Sequence, residues 1–187
     1  MPSSLGEGYK FNYKKGPSHK DGPLVCTHSY TFKTKSNKRY IAEVEQFQHH
    51  IYVIKFYPLA VKNSPNKYKL LTGDGNAGYI ITTCVRIFLD IYARDPLASA
   101  GFIGEASLGE QEENTKRFKV YIKAVGTFIG TDKFKHHANA NASSYFLESL
   151  TNPEPNLKEV AEEMFNKFYV LPKALQPTID PTLGGGG

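Results

Sequence analysis

The chain contains no tryptophan, two cysteines and two methionines in 187 residues. Cys26 and Cys84, two isolated cysteines, build no metal motif, and two thiols are favoured over a bridge between them. Cys26 falls in a predicted strand and Cys84 on the apolar face of a predicted helix. Two buried thiols are therefore expected, as in a reducing cytoplasm. No apolar run approaches the ~18 residues of a membrane span. Met1 to Lys20 is rich in Gly and Lys and lacks the hydrophobic core of a secretory signal, so a cytoplasmic chain without a membrane partner is expected. Ser99, Ser107, Ser143 and Ser144 lack a nucleophile-elbow context, which excludes that hydrolase pattern. No internal repeat is present.

What the chain does have is aromatic bulk: twelve Tyr and twelve Phe. Hydrophobic content of 40% with 22% charged residues lets it bury a core. The net charge of +5 is uneven. Residues 1–72 hold 12 basic and 4 acidic side chains, a balance of +8, and the remainder carries −3. Such asymmetry suits an anionic partner, nucleic acid or protein, at the N-terminal half. The alternative is a set of solvated lysines on strand faces.

Residues 1–24 read as a basic arm in which Tyr9, Phe11 and Tyr13 alternate, as a short extended piece that packs would. Residues 25–171 read as one α+β domain, and 172–187 as a flexible Pro/Gly tail. Alternation predicts strands over Cys26–Lys35 and Arg39–Phe47, and a nearly continuous apolar run predicts a central one over Ile51–Tyr57. Short polar turns, Ser36-Asn37-Lys38 and Gln48-His49-His50, join them into an antiparallel meander. Lys67–Leu71 reads as a short extended piece. Ile80, Cys84, Ile87, Phe88 and Ile91 form one apolar stripe of a helix over 76–94, which Asp95-Pro96 ends. Ala100–Gly104 is a short strand. Asn114 is placed as N-cap of a second helix with Phe118, Tyr121, Ile122, Val125 and Ile129 on its inner face. The chain then reads as irregular through His136, His137 and 138–142, followed by a strand Ser144–Leu150 and a helix from Leu157 to about Leu171. This order implies an antiparallel meander leading into a mixed sheet with packed helices.

Gly73, Gly75 and Gly78 follow the spacing G-x-G-x-x-G before a helix. Glycines there let backbone N–H groups approach a phosphate, aided by the helix N-terminus. The alternative is a loop in which Asp74 or Asn76 caps the helix. Lys116 and Arg117 open the second helix, where basic side chains oppose its dipole. The acidic loop of Glu110, Glu112 and Glu113, or an anionic ligand, is expected to offset them. Arg117 and Tyr121, four residues apart, share a helix face. Arg117 is expected to be partly buried and paired, either to a carboxylate or to an exposed carbonyl in loop 105–113, and Tyr121 to face the sheet. The doublets His49-His50 and His136-His137 point their rings to opposite faces, so they suit no metal, and read as solvated turn residues.

Ile51-Tyr-Val-Ile-Lys-Phe, Lys67-Tyr-Lys-Leu-Leu, Asp95-Pro-Leu-Ala-Ser, Gly101-Phe-Ile-Gly104 and Asn114-Thr-Lys-Arg-Phe-Lys-Val-Tyr121 resemble an uncharacterised bacterial family, a Bacteroidota domain of unknown function. The resemblance spans about residues 25–150 and implies no activity. The element order also resembles the core of GCN5-related N-acetyltransferases. There a glycine-rich loop before the first core helix binds coenzyme A, and the second helix reads Asn, then Tyr seven residues on, then Gly-Phe. Asn114 and Tyr121 have that spacing, with Gly126 and Phe128 beyond. The resemblance implies an acyltransferase or acyl-donor-binding protein. Gly73, Gly75, Gly78, Asn114 and Arg117 would hold coenzyme A, and Tyr121 would act as general acid. Departures are Leu70 in place of the polar residue that opens the cofactor loop, Asp74 inside it, Thr127 between Gly126 and Phe128, and two missing helices. They leave open the alternative of a non-enzymatic interaction module, such as a partner in a toxin, defence or phage-related system.

Overall fold

The computed structural model describes residues 5–70 and 75–169. They form a seven-stranded sheet in the order β1-β2-β3-β4-β5-β7-β6. The strands are β1 Phe11–Lys14, β2 Leu24–Lys33, β3 Arg39–Phe47, β4 Ile51–Pro58, β5 Ser99–Ile103, β6 Phe134–Asn139 and β7 Ser144–Ser149. Three helices accompany them: α1 Ala77–Arg94, α2 Lys116–Phe128 and α3 Leu157–Phe168. The sheet is mixed, as the element order requires. β4 and β5 run parallel, joined by the α1 crossover, and the other neighbours are antiparallel. No helix among the described residues is long and apolar enough to cross a membrane.

The predicted meander forms for the reasons that its sequence suggests. In the β2–β3 turn Asn37 takes a left-handed φ of 67° and donates to the Thr34 carbonyl at 2.9 Å. Asparagine tolerates that conformation better than most residues. Alternation then sends Tyr40, Ala42 and Val44 into one core and leaves Glu43 and Glu45 on the other face. α1 and α2 cover the first face, where Phe88, Phe102, Phe118 and Tyr121 are buried with Tyr30 and Tyr40. α3 covers part of the second, packing Leu157, Ala161 and Phe165 against Ile51, Val53 and Phe146. Both cysteines are buried and free, as expected.

The N-terminal arm packs. Leu5 and Tyr9 are buried, and the segment is laced to α1 by Thr82 Oγ1 donating to the Leu5 carbonyl at 3.0 Å and the Tyr9 amide donating to Thr83 Oγ1 at 2.8 Å. Phe11–Lys14 then adds to β2 as an edge strand.

Four expectations are corrected. Lys67–Lys69 is a single 3-10 turn and not an extended piece; Leu71 lies outside the described residues. Residues 134–139, expected to be irregular, are the edge strand β6, in full register with β7. Their polar run hides the strand, because an edge strand with a wet face shows little apolar alternation and is held by its neighbour. Ile122 is 40% exposed, and Ala124 takes its place in the core. α3 stops at Phe168. The tail 172–187 lies outside the described residues.

Phe102→Ala is expected to cost about 3–5 kcal/mol by emptying a fully packed site. Ile122→Ala should change stability by no more than about 0.5 kcal/mol, as at other exposed positions. Urea unfolding of the two variants checks the assignment of the inner face of α2.

Candidate functional site

The parallel pairing of β4 with β5 covers only Ile51–Ile54 against Ser99–Phe102. Beyond that point β4 continues to Pro58 on β3, with Tyr40 opposite Pro58. β5 instead stays with β7, and the Gly104 amide extends that ladder by donating to the Ser143 carbonyl at 2.8 Å. The two strands therefore part at their C-terminal ends, where ligands collect in open sheets.

α2 is moored to that fork. Thr115 Oγ1 donates to the Gly104 carbonyl at 2.5 Å and accepts from the Phe118 amide at 3.1 Å, which makes Thr115 the N-cap. Asn114, expected to be the cap, is exposed one residue earlier with φ 51°, and its amide donates to the Ala140 carbonyl at 2.8 Å. A residue in the left-handed region aims its side chain away from the helix start, so the cap passes to its β-region neighbour. Gly104 must be glycine, since a Cβ there would lie 2.6 Å from the Phe118 nitrogen.

The expected offset to the basic first turn is present. Glu110 accepts from the Lys116 amide at 2.8 Å and from the Ser107 amide at 2.9 Å. Partial desolvation works against ionisation of this carboxyl. The backbone bonds from Lys116 and Ser107, with the nearby charges of Lys116 and Arg117, outweigh it and hold the carboxyl below its ordinary value of 4.5.

Arg117 enters the fork from α2. It is only 4% exposed. Its guanidinium lies 5.1 Å from the centre of the Phe56 ring on β4. Nη1 donates to the Tyr68 carbonyl, while Nε and Nη2 are buried without a hydrogen-bond partner. Arg117 was expected to pair within loop 105–113. It reaches instead across the fork to the carbonyl of Tyr68, in the 3-10 turn after β4, while Glu105 and Glu110 of the loop act on it through their charge alone. Desolvation lowers its pKa, against the opposing influence of Tyr121 and Glu105.

Tyr121 faces the sheet, as expected, with its ring 5.0 Å from that of Phe102. Its hydroxyl is fully buried, has no conventional hydrogen-bond partner, and neighbours the Cys84 thiol and Arg117. Burial raises the pKa of this hydroxyl and pushes the Cys84 thiol up to about 12. An unpaired buried polar group costs about 1–3 kcal/mol. Among the described residues such atoms are the Tyr9 hydroxyl and, one helical turn apart, those of Arg117 and Tyr121.

The α1 N-terminus stands at the same edge, since α1 and α2 both leave the C-terminal ends of the parallel pair. Gly75 is exposed with φ 68°, a left-handed conformation that favours glycine, and Gly78 lies in the first helical turn. Asn76 occupies the cap position without a side-chain bond, and the first turn holds no acidic residue. Gly73 and Asp74 lie outside the described residues.

On the α3 side the fork opens into a cleft of about 340 Å³ lined by Lys55, Tyr68, Gly104, Glu105, Phe168 and Tyr169. Sequence reading missed its polar residues. Lys55 lies 3.2 Å from Glu45 and 4.7 Å above the Tyr68 ring, and Tyr169 donates to Glu45. The signal was there: Lys55 is the one charge in an otherwise apolar strand.

A larger cleft of about 500 Å³ lies between β6 and α3 and includes His136 and His137. These rings do point to opposite faces, but all four histidines of the doublets are engaged and not simply solvated. His136 bonds Tyr145 at 2.7 Å, His137 bonds Glu148 at 2.7 Å, His50 meets Asp95 at 2.8 Å and His49 meets Glu154 at 3.3 Å. Among the described residues no cluster of His, Cys, Asp or Glu is arranged to hold a metal ion.

Arg117→Ala is expected to cost about 1–3 kcal/mol, through lost packing and the freed Tyr68 carbonyl. Arg117→Met keeps the volume and removes the buried charge, so stability should stay within about 1 kcal/mol of the parent or rise. Denaturant unfolding of both variants separates packing from charge. The depressed Glu110 carboxyl contributes stability that is present above pH 4.5 and is lost as pH falls through the lower folded-state value. Glu110→Gln should flatten that acid limb in a pH series of melting temperatures. No protein-family model, curated protein or solved structure matches this chain.

Proposed function

We propose that the chain binds coenzyme A or a related acyl donor across the β4/β5 fork, on an acetyltransferase-like core. One observation carries the proposal: a parallel pair that parts at its C-terminal end around a buried Arg117 with two unpaired donor nitrogens. Buried donors without partners mark a place prepared for an acceptor. The strand order, with one parallel pair and a helix after each of its members, agrees with the resemblance seen in the sequence.

The residues divide the task. The α1 N-terminus, whose Asn76 makes no side-chain cap bond, with Gly75 and Gly78, and with Gly73 by expectation, takes the diphosphate, where amide groups and the helix dipole favour negative charge. Asn114 stands at the mouth of α2. Arg117 offers Nε and Nη2 to a carbonyl or phosphate oxygen entering the fork. Coenzyme A chemistry supplies the activated acyl group. Tyr121 keeps its proton, because burial raises its pKa, as a general acid toward a leaving thiolate must. Its hydroxyl is enclosed beside Phe102 and Cys84, so the hold on the diphosphate does not use it, and acid catalysis requires the bound acyl donor to come within hydrogen-bond reach of it.

Acetyl-coenzyme A titrated against thermal unfolding tests the binding. At a hundredfold excess over Kd, stabilisation is about 2.7 kcal/mol, which for a domain of this size raises Tm by roughly 5–10 °C. Arg117→Met should weaken this response at least tenfold in ligand concentration while leaving the fold intact. No rise at millimolar ligand rejects the proposal. If transfer to an amine is detected, Tyr121→Phe should cut turnover and leave the thermal response unchanged.

A further inference from the structure

Away from Leu24 and Phe47, the outer face of β1, β2 and β3 is not covered by α3, and its charges are arranged in a row. Antiparallel register sets Phe11 opposite Phe32 and Lys33 opposite Arg39. Continued by one residue, the β1–β2 register brings Lys10 opposite Lys33. Phe11 and Phe32 turn their rings toward the α1 side, so Lys10, Lys33 and Arg39 share the outer face. Three cations thus line up across three strands, roughly 10 Å from end to end at the usual interstrand spacing. Asn12 and Thr31, also opposite each other, form the next row. Together with Leu59 these residues line a groove of about 410 Å³.

Like charges directly opposite each other destabilise a sheet. Elsewhere on this face the rule is obeyed: Glu43 faces Lys55 across β3 and β4. The acidic side chains of the face are already engaged, Glu43 by Lys67 and Tyr68, and Glu45 by Lys55 and Tyr169. No carboxylate lines the groove that holds Lys10, Lys33 and Arg39. A groove of one charge sign focuses potential on an anionic partner.

We propose that this row binds the phosphodiester backbone of a single-stranded nucleic acid. All three cations are exposed, so they do not enclose a small anion and fit instead a chain that lays successive phosphates along the row. Lys14, two residues on from Asn12 on the same strand face, extends the track. Phe32 and Tyr40, the aromatic residues beside the groove, are buried, at 4% and 0% exposure. Contact is therefore with phosphate and not through stacked bases, and binding is independent of sequence.

The test is fluorescence anisotropy of a labelled oligothymidylate of about a dozen nucleotides with the full chain. Binding is expected at 50 mM salt, with an affinity that falls on a log–log salt plot with a slope of about 2–3, from about 0.7 per phosphate neutralised. Lys33→Glu with Arg39→Glu should weaken binding at least tenfold and lower that slope by about one or more. Arg39→Gln should show a smaller loss in the same direction. Melting temperature and the response to acetyl-coenzyme A should be unchanged in these variants, and Lys119→Glu, on α2, should bind like the parent. No binding at 50 mM salt, or equal affinity in the charge-reversed variant, overturns the proposal. Displacement by polyglutamate as effective as by unlabelled oligonucleotide overturns it too, and assigns the row to an acidic protein.

Discussion

The short parallel pairing of β4 with β5 governs the rest of the molecule. Parallel neighbours cannot be joined by a hairpin, so the chain must cross over the sheet, and α1 is that crossover. Because β5 then continues into α2, both helices fall on one face and start at one edge. The pairing stops after Ile54 and Phe102 because β4 stays with β3 while β5 stays with β7, whose ladder the Gly104 amide extends to the Ser143 carbonyl. A fork results without any strand being broken.

The two helix starts at that fork are finished differently. α2 is capped by Thr115 and neutralised by Glu110, so its own chain supplies the anion that its basic first turn needs. Among the described residues, α1 has neither a capping side chain nor an acidic first turn. Between them Arg117 and Tyr121 hold buried polar atoms without partners. An apolar pair of similar volume would be at least as stable there. Their burial therefore adds little to stability by itself.

The sheet's two faces account for the uneven charge of the sequence. One face is buried over most of its area by α1, α2 and the arm that laces α1. The other is covered by α3 only over β4, β5 and β7 and the end of β3. The basic N-terminal half supplies β1 to β3, so its lysines come to lie on open sheet. Within that face, Lys55 and Lys67 neutralise carboxylates beside the fork, while Lys10, Lys33 and Arg39 gather where no carboxylate is available.

Local periodicity determined much of this by itself. The alternation of Arg39–Phe47, the apolar run of Ile51–Tyr57 and the stripe from Ile80 to Ile91 each specify an element, since burial of one face demands that spacing and little else does. Element order then implied a mixed sheet, because a strand–helix–strand unit after a meander leaves few other topologies. The spacing of Arg117 and Tyr121 marked one helix face correctly. Tertiary structure decided what spacing cannot carry. β6 is a strand only because β7 supplies its hydrogen bonds; Thr115 replaces Asn114 as cap because the Gly104 carbonyl and Ser143 hold that residue from other segments. Arg117 reaches Tyr68, 49 residues away, because the fork brings the turn after β4 to the start of α2. The cation row exists only once strand register sets Lys10, Lys33 and Arg39 side by side, since register is a relation between strands that no single segment encodes.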